Sequence, residues 1–308
     1  MTRNGAARPS IVTVGSFDGV HRGHRLVLDR LAAAARDRQL RAILVTFSPH
    51  PLAVVHPTAA PALLSVGDEK SEVLVSSGLD EVAIVPFTRE LAAYEAEQFV
   101  GLVLIERFGM RELFVGHDHG FGRGRSGDLS VLERLGRSRG FAVHVVPPVA
   151  ARDGQPVSST SIRRAIAGGD LAGAADGLGR PYSVAGRVRR GDGRGRVLGY
   201  RTINLGQPDP DKLLPPDGVY AVRAQTPSGQ LGGMMNLGGR PTFGDQTRTI
   251  EAHLFDAAAD WYDERVRLDF IGRLRDVQQF SGPDALARQL RHDEESARVF
   301  LARHRAGN

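Results

Sequence analysis

Gly15-Ser16-Phe17-Asp18-Gly19-Val20-His21-Arg22-Gly23-His24 places two histidines in an H-x-G-H arrangement among three glycines. These residue types suit phosphate chemistry. Imidazole N–H groups at His21 and His24 can donate to phosphate oxygens whose charge grows as pyrophosphate leaves, and Gly15, Gly19 and Gly23 let the backbone approach a ligand closely. No covalent intermediate is needed. A second set, Ser158-Ser159-Thr160-Ser161-Ile162-Arg163, offers Ser159 and Thr160 as a helix N-cap, with Arg163 about one turn on as a bidentate cation. An ordinary cap with a solvent-facing arginine is the plainer reading of the same residues. A third run, GRVRRGDGRGRVLGYRTINL at 186–205, alternates Gly191, Gly193 and Gly195 before a strand, as in loops whose amides cradle phosphate. A hairpin with solvated arginines explains that spacing equally well.

The elements that must carry these groups follow from periodicity. IVTVG at 11–15 reads as a strand, and Gly23 to Gln39 carries Leu26, Leu28, Leu31 and Ala35 near helical spacing. The histidine loop therefore lies between a strand and a helix, where free N–H groups and the positive end of the helix dipole favour an anion. The alternation continues through RAILVTF (41–47), a helix at 68–77, EVAIVPF (81–87), a helix around 95–108, ELFVG (112–116), a helix at 129–139 and AVHVVPP (142–148). This predicts an α/β unit with a parallel sheet covered on both faces and ligands at the carboxyl ends of its strands. After Pro181 the period changes to short strand-like segments between Gly, Pro and Asp turns: SVAGRVRRG, YRTINLG, GVYAVRAQ, GQLGGMMNLGG, TRTIEAHLFD and ERVRLDFIGRL. Those six, with a helix from Pro283 to His304, predict a small all-β barrel with a closing helix. Domains of 1–182 and 183–308 are expected.

The chain has 308 residues, a length comfortable for two cores, and its 41% hydrophobic and 24% charged content is that of an ordinary globular protein. No run of about 18 apolar residues is present to span a bilayer. The first ten residues lack the apolar core of a signal peptide, so a cytoplasmic protein without a membrane partner is expected. Zero cysteines exclude disulfides, thiolate metal sites and a cysteine nucleophile. The net charge of +5 comes from arginines spread along the chain, with lysine only at Lys70 and Lys212; no nucleic-acid partner is expected. Oligomeric state is not legible.

The first run resembles nucleotidyltransferases of the H-x-G-H type, and its fuller G-x-F-D-G-V-H-x-G-H form is similar to the prokaryotic bifunctional riboflavin kinase/FAD synthetase family. Thr46-Phe47-Ser48-Pro49-His50-Pro51, Asp68-Glu69-Lys70, Phe114-Val115-Gly116-His117-Asp118-His119-Gly120-Phe121-Gly122 and the S-S-T-x-I-R run follow in that family's order. The 186–205 run resembles the riboflavin kinase pattern. Gly218-Val219-Tyr220-Ala221, Asn236-Leu237-Gly238-Gly239-Arg240-Pro241-Thr242-Phe243 and Ile250-Glu251-Ala252-His253-Leu254-Phe255-Asp256 continue it, so the resemblance covers almost the whole chain.

The resemblance implies a Rossmann-like FMN adenylyltransferase domain and a riboflavin kinase barrel, with ATP, riboflavin and FMN as substrates, FMN and FAD as products, and Mg²⁺ as the metal. It implies nucleotide binding by Gly15, Phe17, Asp18, Gly23, His50, Asp118, Ser159, Thr160, Gly191, Gly193 and Gly195. His21, His24 and Arg163 would serve adenylyl transfer, Glu251 would be the base of the kinase step, and Thr202 and Asn204 would hold magnesium. His50, flanked by two prolines, also suits a purely structural turn. Two departures stand out: His119 replaces a usual aromatic, and Arg201-Thr202-Ile203-Asn204 replaces the family's P-T-A-N, removing a proline that restricts the backbone. Two alternatives stay open. One is a diverged member with nucleotidyltransferase activity alone, on another phosphorylated acceptor; the other is a non-catalytic flavin- or nucleic-acid-binding regulator.

Overall fold

The computed structural model describes residues 8–75, 77–117, 120, 122, 127–191, 199–240, 245–257, 259 and 261–304. It divides into two units, Met1–Ser159 and Thr160–Asn308.

In the first unit, β1 (Ser10–Val14) leads to α1 (Arg22–Arg38), β2 (Arg41–Ser48), the short α2 (Pro51–Val55), α3 (Asp68–Val75), β3 (Glu81–Pro86) and α4 (Arg89–Ala92). A helix then opens as α5 (Ala96–Gln98) and continues with π-type bonding over Phe99–Arg107, before β4 (Met110–Gly116), α6 (Leu129–Arg139) and β5 (Ala142–Val146). The predicted helix around 95–108 is thus present but wider than an α-helix over most of its length; Phe99, Val100, Val103 and Leu104 still reach the core. The sheet order is β3-β2-β1-β4-β5, parallel throughout.

Every residue of β1 is buried because the sheet is covered on both faces, which is why its sequence is a continuous rather than an alternating apolar run. Ile11 packs with Val27, Leu31, Ala34 and Ala35 of α1, while Val12 and Val14 join Val100, Leu104 and Leu132 on the opposite face. Since β1 is flanked by β2 on one side and β4 on the other, the chain reverses direction across the sheet at β1 and β4. The carboxyl ends of that pair border the crevice where such sheets hold ligands.

The second unit begins with α7 (Ser159–Ala167), shared with the boundary, and α8 (Leu171–Leu178), which the sequence reading did not anticipate. There follow β6 (Ser183–Arg187), β7 (Ile203–Asn204), β8 (Gly218–Thr226), β9 (Gly229–Arg240), β10 (Asp245–Leu254), β11 (Arg265–Arg275) and α9 (Pro283–Arg303). All six predicted strands are present, in the order β6-β11-β8-β9-β10-β7 with antiparallel neighbours. The two ends of that order are joined where the Arg189 N–H donates to the Asn204 carbonyl at 2.7 Å. Helix α9 seals the barrel with Ala297, Leu290, Phe300 and Leu301 against Ala221, Met234 and Phe255. The buried Asp293 of α9 takes a charge-assisted hydrogen bond from Arg275 at 2.6 Å. Among the described residues no helix is long and apolar enough to cross a membrane.

Candidate active sites

The H-x-G-H loop leaves the carboxyl end of β1 and enters α1 at its N-cap, His21. Its backbone is under strain. Phe17 and Val20 have φ of +46° and +41°, in the left-handed region that side chains seldom adopt, and Gly19 has φ +76°. Each non-glycine there costs about 1–3 kcal/mol, a cost offset by burying Phe17 and Val20 against Leu28, Leu44 and Leu74. The glycines have separate reasons. A Cβ at Gly15 would stand 3.2 Å from the Phe17 ring, and one at Gly23 would stand 3.2 Å from the His21 ring.

His21 and His24 are brought together, with rings stacked at 3.6 Å between centroids. The His24 amide donates to Nδ1 of His21 at 3.3 Å, so in its neutral form His21 carries its proton on Nε2. Burial first, then the nearby His21 and Lys70, hold the His24 pKa well below the ordinary 6.5, so His24 is neutral at physiological pH. Its Nδ1 is sealed from solvent with no hydrogen-bond partner among the described residues.

The expected nucleotide ligands divide by what they touch. The Asp18 carboxylate accepts from the amides of Leu64 (2.9 and 3.0 Å) and Ser65 (3.1 Å), so it ties the segment before α3 to the loop. Gly19 donates to the Ser65 hydroxyl at 3.1 Å, a second tie to the same segment. The Ser159 hydroxyl donates to the Asp18 carbonyl at 3.0 Å, tying the end of the first unit to the H-x-G-H loop. Ser159 is the first residue of α7 rather than its cap, and Thr160 follows it on the surface. Arg163 lies one turn into α7, half-buried, in the second unit. His50 caps α2 by accepting from the Leu52 amide at 3.2 Å, the structural turn that its two prolines suit. Asp118, His119, Gly193 and Gly195 lie outside the described residues.

One side chain at this loop was not singled out as a site residue from sequence. Lys70 of α3 donates to the Ser16 carbonyl at 2.6 Å and to the Thr46 hydroxyl at 2.7 Å. Burial lowers its pKa from 10.5 to about 8, while the charge of Asp18 works in the opposite direction.

In the second unit the kinase-like residues meet through strand register. Glu251 of β10 lies opposite Asn204 of β7 on one side and Asn236 of β9 on the other. Directly opposed residues share a face of the sheet, so the three half-buried polar residues form a row across three strands. A Cβ at Gly191 would fall 2.1 Å from Nδ2 of Asn204, so any larger residue there would have to push the amide aside. Thr202 is exposed immediately before β7. At Arg201, where the family pattern has proline, the carbonyl accepts from Nδ1 of His253 at 2.7 Å. His253 is two residues beyond Glu251 on β10, so one strand carries the candidate base and holds the segment that leads into Thr202. Asn236 and His253 belong to runs legible as motifs, but only the pairing gives them positions beside Glu251 and Arg201.

Residues 4–161 match the family model described as FAD synthetase, and residues 178–301 match the model described as riboflavin kinase. The bifunctional riboflavin kinase/FMN adenylyltransferase of Escherichia coli K12 is 37% identical over 94% of this chain and 92% of its own length. That of Pseudomonas fluorescens is 36% identical over 96% and 94%. A crystal structure described as a macrolide-efflux protein from Streptococcus pneumoniae superimposes with a TM-score of 0.84 at 31% identity, covering 96% of this chain and 95% of that one. By the two models and by whole-length similarity, the chain belongs to the bifunctional riboflavin kinase/FMN adenylyltransferase family.

Proposed function

We propose that the family's two reactions are divided between residues 1–182 and residues 183–308. The protein is an ATP-dependent transferase that phosphorylates riboflavin to FMN and adenylylates FMN to FAD. The observation that carries the division is that each unit holds its own polar constellation, the strained H-x-G-H loop in one and the Asn204–Glu251–Asn236 row in the other.

In adenylyl transfer an FMN phosphate oxygen attacks the α-phosphorus of ATP and pyrophosphate departs. His21 donates to the phosphate charge, His24 holds the loop and Ser159 completes the phosphate contacts, with Gly15, Phe17, Gly23, His50 and Asp118 around the nucleotide; Thr160 and Arg163 take phosphate-binding roles by the family pattern alone. In phosphoryl transfer the terminal ribityl oxygen attacks the γ-phosphorus and ADP departs, with Glu251 as the base that takes the hydroxyl proton. Gly191, Gly193 and Gly195 line the phosphates.

The Thr202 hydroxyl and the Asn204 amide oxygen fit Mg²⁺, which takes few protein ligands, prefers hard oxygens and keeps waters and substrate phosphates in its shell. Mg²⁺ bound there would neutralise phosphate charge; the chain's own part is to hold the two oxygens and orient the hydroxyl. The partners are small molecules, and a cytoplasmic setting suits their supply.

The test is chromatographic. Purified protein is given riboflavin, ATP and Mg²⁺ in one tube and FMN, ATP and Mg²⁺ in another, following FMN, FAD and pyrophosphate. Both products are expected, and Glu251→Gln should lower FMN formation by about 100-fold or more while leaving FAD formation from FMN in place. FAD from FMN with none from riboflavin would assign adenylyl transfer alone, and no flavin product in either tube would overturn the reading.

A further inference from the structure

Of the 40 lysine and arginine residues in this chain, only Lys70 and Lys212 are lysines. Neither is a solvated surface cation. Lys212 is 6% exposed, its ammonium 4.5 Å from the Tyr182 ring centroid, and Lys70 is half-buried against the H-x-G-H loop. A chain that uses arginine at nearly all its basic positions retains lysine where a compact three-donor point charge fits and a planar guanidinium fork does not.

We propose that Lys70 is the positioning cation of adenylyl transfer: from α3 it fastens the end of β2 to the start of the phosphate loop and supplies a fixed positive charge there. The proposal rests on adenylyl transfer taking place at that loop. Three hydrogen bonds close one set: Lys70 Nζ to the Ser16 carbonyl at 2.6 Å, Lys70 Nζ to Thr46 Oγ1 at 2.7 Å, and Thr46 Oγ1 to the same Ser16 carbonyl at 3.1 Å. Two donors on one carbonyl fix the plane of the Ser16–Phe17 peptide, and a trans peptide then directs the Phe17 N–H to the opposite side. Phe17 is the first of the left-handed residues in the loop, so the clamp acts where the backbone strain begins. Electrostatics makes a second case. His24 is neutral, so it contributes no full positive charge to the triphosphate, whereas Lys70 is protonated at neutral pH. The groups facing it are Ser16 and Asp18 of the loop, His24 of α1 with His21 stacked on it, and Thr46 of β2.

The experiment uses the full protein, with kcat and KM for FAD formation from FMN and ATP followed across the pH range around 8, and FMN formation from riboflavin as an internal control. Wild-type kcat should fall as pH rises through about 8, where the ammonium loses its proton. Unfolding does not account for such a fall. With the folded pKa at about 8 and the ordinary value at 10.5, the unfolded chain binds more protons between the two, so this group's contribution to stability rises over that window.

Lys70→Met should lower kcat by about 100-fold at pH 7 with KM for ATP changed far less, and leave FMN formation unchanged. Lys70→Arg should give a reduced rate without the fall through pH 8, since guanidinium stays charged. The proposal is overturned if Lys70→Met keeps a rate within about threefold of wild type, or if Lys70→Arg shows the same fall. Should Lys70→Met fail to fold, the Lys70→Arg profile decides. A wild-type protein that makes no FAD at any pH would instead sink the assignment of the reaction to this loop.

Discussion

His24 sits half-buried with its Nδ1 out of reach of water, and its stability follows from that position. Burial, then His21, then Lys70 keep it unprotonated in the folded chain, while the unfolded chain takes up a proton below about pH 6.5. The unfolded state therefore binds more protons as the medium is acidified, and the contribution of His24 to stability, fully present above 6.5, is lost as pH falls below it. Urea unfolding at successively lower pH should show the first unit weakening by up to about 1 kcal/mol per pH unit, and His24→Asn should flatten that slope. An unchanged slope in the variant would mean that the acid sensitivity belongs to other groups. The two histidines were legible from type and spacing, but their inequality was not. It arises because the His21 ring accepts the His24 amide hydrogen while the His24 ring is enclosed, and that enclosure comes from the fold rather than from the motif.

At the scale of the element, the kinase constellation depends on β7, a strand of two residues. Its sequence, Ile203-Asn204, carries no period of its own. The position of Asn204 is set by pairing to Glu251 and by the Arg189 amide on its carbonyl. Glycine at 191 is the third condition, because any side chain there would meet the Asn204 amide. Gly191→Ala should therefore displace the amide by about 1 Å and lower FMN formation by about 100-fold, with FAD formation from FMN unchanged. Equal rates for the alanine variant and wild type would show that Asn204 takes no part in the phosphoryl step. The alternating glycines suggested a phosphate cradle from sequence; what the sequence could not give at Gly191 is the neighbour that requires it, because Asn204 lies across a closure between strands. Similarly, replacing proline by Arg201 reads as a loss of restraint along the chain, whereas the fold supplies a hydrogen bond from His253 to the Arg201 carbonyl.

Across the whole molecule, the two halves were legible because their hydrophobic periods differ. Continuous β-branched runs separated by amphipathic helices require a parallel sheet covered on both faces, and short segments broken by Gly, Pro and Asp require antiparallel neighbours. The helices α2 and α4 were missed, being too short for a period to register, and α8, with glycines at 173 and 177, was missed as well. Lys70 was quoted within a motif but not given a role, since α3 reaches the loop only by folding back over more than 40 intervening residues. Division of labour between the halves has a direct test. A protein with Glu251→Gln should make no FAD from riboflavin, and one with His24→Ala should stop at FMN. Mixed together, they should restore FAD, with FMN passing between molecules through solution; failure of the mixture would require FMN to stay within one chain. The order of strands also sets a timetable for synthesis. The parallel sheet is complete once Val146 has emerged, but β6, ending at Arg187, pairs with β11, which begins at Arg265. At about 5–20 residues per second, β6 waits several seconds on the ribosome for its partner; with the two reactions divided as proposed, the machinery for making FAD from FMN is synthesised before the barrel that makes FMN can close.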